Sequence, residues 1–236
     1  MQNKNNKEYT ALKEALNVEV MKNYNNFIAS IPMKNKKVLN QVIDFGAGIG
    51  TISLILRKKY KVDPICIEID KKNQKYLSER HLTFFDDLSL LKNNSDLIFS
   101  SNVLEHIEDD VGILNKIKNN LNIGGRICLY LPAKNILWSN LDEIAGHYRR
   151  YEIEEIKKKC EQVGFKVTNV CYADFLGFFA SLVMKFSGYD SKSGIGSIST
   201  LKFYDKWLFP ISKFLDRIGF RFIVGKNLIL EAEKLK

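Results

Sequence analysis

Cysteine and histidine are scarce in this sequence, which has four of the first and three of the second among 236 residues. No two cysteines form a CxxC pair, which is the usual mark of a zinc site or a redox motif. Disulfide frameworks belong to oxidising compartments. We therefore expect buried, reduced thiols, no bound metal ion and a cytoplasmic location.

Long apolar runs are missing as well. The longest one, near residues 175–184, is too short for a membrane span, which needs about 20 residues. The opening stretch MQNKNNKEYT is polar, so we predict no secretory signal. A membrane-crossing protein is not expected, whereas peripheral contact with an anionic membrane stays open.

Acidic residues are outnumbered by basic ones, 27 against 36, and the formal net charge is +9. This excess favours acidic partners such as phosphates, anionic lipids or nucleic acid, but it carries no information about the fold. The sequence predicts no particular oligomeric state.

Strand-like and helix-like patterns alternate along most of the chain. We predict strands at residues 42–45, 64–69, 82–85, 96–100, 126–131, 165–172 and 227–232. The helical patterns cover residues 9–28, 51–59, 72–80, 108–119 and 153–163. Such alternation predicts a doubly wound α/β fold with a mainly parallel sheet covered on both faces.

The alternation breaks after residue 172, before the last predicted strand. We predict a single domain over residues 1–236, with N-terminal helices (1–36), a ligand-binding core (37–174), a helical lid or substrate insertion (175–222) and a last strand (223–236). Within the insertion, helical spacing gives an apolar and a basic face, interrupted near Pro210. The apolar residues are Phe203, Trp207, Ile211, Phe214 and Ile218, and the basic ones are Lys206, Lys213 and Arg217. A lid packed over a pocket is the favoured interpretation, and a surface for an anionic membrane or a lipid-linked substrate is the alternative.

The stretch VIDFGAGIG (42–50) predicts a strand followed by a glycine turn and a helix, which places the turn where open α/β sheets bind ligands. Its spacing is G-x-G-x-G, whereas the dinucleotide fingerprint is G-x-G-x-x-G. Asp44 stands two residues before the first glycine, where a carboxylate would repel a diphosphate. A cationic ligand suits this loop better, although a turn that only permits close packing is also consistent.

Two acidic positions follow at the ends of the next predicted strands. Glu68, in ICIEID, could accept hydrogen bonds from both hydroxyls of a ribose. Asp86 and Asp87, in FFDD, could accept one from an adenine amino group. Each could instead stabilise a helix end or a turn.

In combination these stretches resemble a class I S-adenosylmethionine-dependent methyltransferase. VIDFGAGIG, ICIEID, FFDD, SNVLEHIED and GGRICLYLPA match that family's motifs in order over residues 37–131. The resemblance implies a Rossmann-like sheet with an antiparallel last strand and S-adenosyl-L-methionine as the cofactor. The cofactor-binding residues that it implies are Asp44, Gly46, Ala47, Gly48, Gly50, Glu68, Ile69, Asp86, Asp87, Leu88, Asn102 and His106.

The segment SNVLEH (101–106) contains no proline, whereas methyltransferases that act on nucleic-acid amino groups commonly carry Asn/Asp-Pro-Pro-aromatic here. A nucleic-acid substrate is therefore not expected, despite the positive charge. His106 could be a base, or it could fix the loop at the start of the following helix.

GHYRRYE (146–152) resembles a variant of the family that carries D…GHxRRY, with Asp142 at the acidic position. By this resemblance the segment borders the substrate pocket, and relatives that share it are often associated with glycan or cell-surface assembly. His147 is the candidate general base, because histidine exchanges protons near neutral pH. Arg149 and Arg150 could hold an anionic group and Tyr148 could frame the pocket. The alternative is a structural loop in which Asp142 pairs with an arginine and His147 caps a helix.

The sequence therefore predicts a methyltransferase for a small-molecule or a lipid- or glycan-type acceptor, acting by O-methylation. An RNA or protein methyltransferase and a non-catalytic module that binds S-adenosylmethionine are the alternatives.

Overall fold

The computed structural model describes residues 12, 15–34, 39–91, 94–186 and 197–236. Within these residues one sheet contains seven strands: β1 (Val42–Phe45), β2 (Ile65–Ile67), β3 (Phe84–Phe85), β4 (Ser95–Ser101), β5 (Leu121–Pro132), β6 (Phe165–Ala173) and β7 (Asn227–Lys234). Their order is β3-β2-β1-β4-β5-β7-β6. Strand β7 runs antiparallel to β5 and β6, and the other neighbouring pairs are parallel. The predicted Rossmann-like sheet with an antiparallel last strand is confirmed.

The described α-helices are α1 (Lys22–Ser30), α2 (Thr51–Ile55), α3 (Lys71–Glu79), α4 (Asp110–Asn120), α5 (Asn140–Ala145), α6 (Ile153–Gln162), α7 (Phe175–Phe186), α8 (Ile198–Phe203) and α9 (Phe209–Arg217). Helices α8 and α9 are joined by the π-helical turn Tyr204–Leu208. The helical path continues past Pro210, because a wider turn tolerates the missing N–H and the ring that proline brings. No helix of the described segments has the length and apolar character that crossing a membrane requires.

Alternate strand residues enter two separate cores, one on each face of the sheet. Ile98 of β4 belongs to the core beneath α4 and α6, whereas its neighbours Leu97 and Phe99 pack on the side of α1, α8 and α9. This follows from the period of two in a strand, where successive side chains point to opposite faces. All four cysteines are free, buried thiols, as expected.

Two of the predicted elements differ from the structure in ways that have a clear physical or structural cause. Strand β5 begins at Leu121 and not at residue 126, because Gly124 adopts a φ of 76° inside the strand and the register with β4 shifts there. The predicted helix 9–28 breaks at residues 20–21, between a helical stretch at 15–19 and α1. Residues 9–11, 13 and 14 of that prediction lie outside the described residues.

Candidate cofactor and acceptor site

The glycine loop follows β1 at the carboxyl edge of the sheet, and its three glycines have different surroundings. All three adopt positive φ angles, which L residues with a side chain rarely reach. A Cβ on Gly46 would lie 2.3 Å from Val103, and one on Gly50 would lie 2.4 Å from Leu82. A Cβ on Gly48 would meet no atom within 4 Å. Close packing therefore explains Gly46 and Gly50, whereas Gly48 borders open space into which a ligand fits.

Hydrogen bonds hold this loop to the neighbouring strand β2. The backbone N–H groups of Gly46 and Ala47 donate to the carbonyl oxygen of Ile67 at 2.8 and 3.1 Å. The carboxylate of Glu68 accepts from the N–H of Gly48 at 2.7 Å and from that of Asp70 at 2.8 Å. The predicted ribose-binding acid thus lies directly against the open glycine. Burial raises the pKa of Glu68, and the two backbone donors oppose that shift.

Asp44 is buried beneath the loop. Its Oδ2 accepts a hydrogen bond from the Ser53 hydroxyl of α2 at 2.6 Å. Burial raises the pKa of Asp44 to about 7, and the bond from Ser53 opposes that rise. This contact ties α2 to β1, so Asp44 acts on the loop through the position of the helix.

The third predicted segment forms the outer part of the site. Asp86 accepts hydrogen bonds from Lys71 Nζ at 2.8 Å and from Gln74 Nε2 at 2.7 Å. Its neighbour Asp87 caps the short turn Leu88–Leu90 through the N–H of Ser89, and the Leu88 side chain is buried. Ile69, at the end of β2, is 79% exposed, which leaves an apolar surface beside Glu68.

Asn102 follows β4 and lies at the ends of three strands. Its backbone is left-handed, with a φ of 53°, and its N–H donates to the carbonyl of Tyr130 in β5 at 2.8 Å. Its Oδ1 accepts from Nδ2 of Asn227 in β7 at 3.4 Å. The next residue, Val103, packs against Gly46, so this loop joins the glycine loop to the centre of the sheet.

The GHYRRY segment docks on the same loop. The N–H of Tyr148 donates to the carbonyl of Glu105 at 2.7 Å, and the rings of His106 and His147 meet edge to face at 4.6 Å. Tyr148 is 54% exposed. The structure therefore brings the predicted base and the predicted cofactor loop onto one edge of the sheet.

Asp142 is the centre of a buried charge network. Its Oδ1 contacts Nδ1 of His147 at 2.9 Å and accepts from Nε of Arg150 at 2.9 Å. Burial opposes ionisation, but the bonds from His147 and Arg150 prevail and hold the pKa of Asp142 below its usual value. An ionised Asp142 makes Nδ1 of His147 the protonated nitrogen and leaves Nε2 free to accept.

Both arginines of the segment are bound to acceptors of the chain itself. Arg149 pairs with Asp110 at 3.0 Å and donates to the carbonyl oxygens of residues 107 and 108. Arg150 is buried and donates to Ala133 O as well as to Asp142. Neither guanidinium group is therefore free to bind a substrate anion, as the prediction required. The alternative prediction, a structural loop, included a pair between Asp142 and an arginine, and that pair is observed.

Glu105 is a site residue that the sequence reasoning passed over. It is fully buried, and neither carboxylate oxygen has a hydrogen-bond partner. Its Oε1 lies 4.0 Å from Nε2 of His147, and burial raises its pKa to about 7. Glu105, His106 and His147 offer ligand atoms within 4.8 Å of one another, so these three residues could hold a metal ion. The sequence signal that could have identified Glu105 is its position beside His106. Only the fold shows that its side chain points inward.

A methyltransferase-domain family model matches residues 14–170, which is more than half of the chain. The chain belongs to this methyltransferase family. No protein of curated function matches the sequence. With the sheet order above, the match confirms the class I S-adenosylmethionine-dependent fold that the five motifs predicted.

Solved structures show how widely this methyltransferase fold is shared. A methyltransferase from Thermotoga maritima, described as a "possible histamine N-methyltransferase", has a TM-score of 0.63 at 12% identity over 96% of this chain and 97% of its own. Phosphoethanolamine N-methyltransferase 2 of Haemonchus contortus, in complex with S-adenosyl-L-methionine, has a TM-score of 0.57 at 15% identity over 89% of this chain. The match spans 52% of that enzyme's length. A methyltransferase from Archaeoglobus fulgidus has a TM-score of 0.53 at 17% identity over 82% of this chain and 86% of its own.

The residues of this methyltransferase fit S-adenosylmethionine, the cofactor that its family implies. The space beside Gly48 admits a ligand next to the loop backbone, and the Glu68 carboxylate at its edge can accept from ribose hydroxyls. The exposed Ile69 offers an apolar contact for the adenosine portion. A diphosphate would instead meet two buried carboxyl groups, Asp44 and Glu68, at this loop.

Proposed function

We propose that this methyltransferase transfers a methyl group to a hydroxyl of a small-molecule or lipid- or glycan-type acceptor, with His147 as the general base. The observation that carries the proposal is the contact between Asp142 and Nδ1 of His147 at 2.9 Å. It fixes the ring so that Nε2 is the nitrogen that accepts a proton. A hydroxyl nucleophile needs such an acceptor, because its own pKa lies far above neutral.

S-adenosylmethionine supplies the methyl group on a sulfonium leaving group, so the protein mainly has to align the acceptor. His147 Nε2 removes the hydroxyl proton as the acceptor oxygen attacks. The positive charge that forms on the ring is balanced by Asp142 at Nδ1 and by the Glu105 carboxyl group, 4.0 Å from Nε2. Tyr148 stands beside this pair with more than half of its side chain exposed, and it supplies the wall against which the acceptor rests.

The D…GHxRRY variant gives the chain this base and its support together. His147 is the residue of the segment that is left to act on a substrate, since Arg149 and Arg150 are bound to acids and carbonyl groups of the chain. We therefore assign the two arginines to holding the segment in place. Asn102 and His106 complete the cofactor side, on the loop between Gly46 and His147.

Amine methylation is the second candidate, because one Haemonchus contortus structure holds phosphomonomethylethanolamine together with S-adenosylhomocysteine. A neutral amine carries its own lone pair and needs no strong base. The two candidates therefore differ in their dependence on His147. RNA or protein methylation and a non-catalytic binding role stay as alternatives that the same assay addresses.

The test uses transfer of labelled methyl groups from S-adenosylmethionine to a panel of phenols, sugar hydroxyls, lipid-linked sugars, amines, RNA and peptides. We expect a hydroxyl acceptor to be methylated, and His147→Asn to lower kcat by about 10²- to 10⁴-fold while the Kd for S-adenosylhomocysteine stays unchanged. His81→Asn is the matched control, since His81 is exposed and follows α3, away from this cluster. Activity should persist in EDTA.

Three outcomes would contradict the proposal. Transfer to amines alone, with full activity in His147→Asn, would establish the second candidate. Loss of activity in EDTA with recovery in zinc or manganese would make His147 a metal ligand and not the base. No transfer to any acceptor, with binding of S-adenosylhomocysteine intact, would favour the non-catalytic module.

A further inference from the structure

The insertion presents its large apolar residues to solvent. Phe203, Trp207, Ile211, Phe214 and Ile218 recur every three or four residues along α8, the π-helical turn and α9, and each is between 52% and 60% exposed. Such spacing places them on one side of a helix. We call this row the apolar stripe.

Neighbouring segments extend the apolar stripe. Phe222 and Ile223, just beyond α9, are each 66% exposed, and Val183 and Phe186 of α7 are more exposed still. Monomeric soluble proteins rarely show contiguous apolar patches of such extent unless the patch has a partner. The exposed apolar side fits the alternative of a membrane or lipid surface, and the lid stays a prediction.

Polar residues occupy the inner side of the same helical segment. The Asp205 carboxylate accepts from the backbone N–H groups of residues 23 and 24 at 3.0 and 2.8 Å. Asp216 accepts from the N–H groups of residues 174 and 175 at 2.8 and 3.2 Å. Between them the hydroxyl of Ser212, fully buried, donates to Asp174 at 2.9 Å. These buried bonds fix the rotation of the helix, because turning the apolar stripe inward would leave the carboxylates without their donors.

The charges left on the outer side are all positive. Asp205 and Asp216 are the only acidic residues between 198 and 222, and both are buried. The same range contains five basic residues: Lys202, Lys206, Lys213, Arg217 and Arg221. Two of them lie over aromatic rings of the exposed surface, Lys206 at 5.0 Å from the Trp207 ring and Arg221 at 4.9 Å from the Phe222 ring. Residues 198–222 therefore combine exposed bulky apolar groups with cations and present no exposed carboxylate.

We propose that the apolar stripe and its basic flanks bind the surface of an anionic lipid bilayer. The helix lies in the plane of the interface, the aromatic and branched side chains enter the acyl boundary, and the cations meet the lipid headgroups. A second copy of this chain is a poorer partner, because a two-fold contact through this surface sets five basic residues against the same five. The inference is independent of the methyl acceptor, and it gives a lipid-linked acceptor a route to the enzyme.

The experiment measures sedimentation of the full-length protein with phosphatidylcholine vesicles that contain 30% phosphatidylserine, and with pure phosphatidylcholine vesicles. We expect at least tenfold tighter binding to the anionic vesicles, and loss of binding by at least tenfold in Trp207→Ser/Phe214→Ser. Ile123→Ser is the control, since Ile123 is also apolar and is even more exposed, at 76%, but lies in β5. Lys206→Glu/Lys213→Glu should also lose the preference for phosphatidylserine.

Both substituted side chains of the stripe are exposed, so the variants should keep the wild-type Tm and Kd for S-adenosylhomocysteine. Unchanged Tm and Kd would show that the variants keep their fold and their cofactor site. The membrane inference can therefore fail while the proposed function holds, and the proposed function can fail while the inference holds. Equal binding to both vesicle types, or unchanged binding in the double variant, would overturn the inference. A dimer that light scattering detects and that Trp207→Ser/Phe214→Ser dissociates, without vesicle binding in wild type, would assign the surface to a second copy.

Discussion

Two glycines of the same loop allow the effects of ligand contact and of packing to be tested separately. Gly48→Ala and Gly50→Ala each add one methyl group at a residue with positive φ, 55° and 80° respectively. Holding an L side chain in that conformation costs about 1 kcal/mol. The two variants share this cost and differ in what the new Cβ meets.

The surroundings of Gly50 add a second penalty. Its Cβ would lie 2.4 Å from Leu82 Cδ1 and 2.7 Å from Leu77 Cδ2, and both leucines are buried. Overpacking of this kind costs about 1–3 kcal/mol, so we expect Gly50→Ala to lose about 2–4 kcal/mol of unfolding free energy. Gly48→Ala should lose only about 1 kcal/mol, because no atom lies within 4 Å of its Cβ.

Ligand binding should show the reverse order. The methyl group of Gly48→Ala enters the open space that borders the loop. We propose that the cofactor occupies this space, so we expect S-adenosylhomocysteine to bind at least tenfold more weakly, which corresponds to about 1.4 kcal/mol. Folded Gly50→Ala should bind within a few fold of wild type. Urea unfolding and isothermal titration calorimetry measure the two quantities. Wild-type affinity in Gly48→Ala would refute the reasoning, since the open side of the loop would then not face the cofactor.

Two further predictions concern acidic residues of the same site. Glu68→Ala should abolish the rise in Tm that S-adenosylhomocysteine gives wild type, which at 100 times the Kd corresponds to about 2.7 kcal/mol; a rise with NAD alone would contradict the cofactor assignment. Asp44→Asn should flatten the pH dependence of stability. The pKa of Asp44 is raised to about 7, above an unfolded value near 4, so its contribution is present at low pH and is lost as pH rises from about 4 to 7. Between pH 5 and 8 the variant should gain on wild type by on the order of 2 kcal/mol in urea titrations, and parallel curves would show that burial does not control this group.

The sheet could be predicted from the sequence because its signals are local. Each central strand is a short apolar run followed by a turn, and the glycine loop and Glu68 lie where those runs end. The start of β5 was predicted five residues late, because Gly124 and Gly125 look like a boundary in sequence and act as a bend within a strand. Glycine occurs both at strand boundaries and at bends within strands, and only the pairing of β5 with β4 distinguishes the two cases.

The orientation of the insertion could not be read from periodicity. Helical spacing predicts an apolar side and a basic side, but it does not say which side faces the rest of the protein, and the structure leaves the apolar side exposed. The rotation of the helix is decided by the hydrogen-bond donors that the rest of the fold offers. Among them are the backbone N–H groups at the start of α1, which donate to the Asp205 carboxylate. Those donors come from residues about 180 positions away, so no local pattern contains them.

In the GHYRRY segment, the base that we propose and one of the two arginines contact the same buried acid. Gly146 ends α5 with a φ of 78°, which turns the chain so that His147 and Arg150 both reach back to Asp142. Because these two side chains share one buried carboxylate, removal of Arg150 would take away the guanidinium group that pairs with Asp142 and leave the His147 ring in contact with it.

The alternate residues of the segment reach the other way, to Asp110. Arg149 pairs with its Oδ2 at 3.0 Å, and the Tyr151 hydroxyl donates to the same atom at 3.0 Å. Asp110 belongs to the first turn of α4, so the segment is fastened to α4 on one side and to α5 on the other. Two acids on two helices therefore hold this six-residue stretch, and His147 keeps a defined position against His106 of the loop after β4. If His147 is the base that we propose, the two arginines and Tyr151 serve to hold its segment in place.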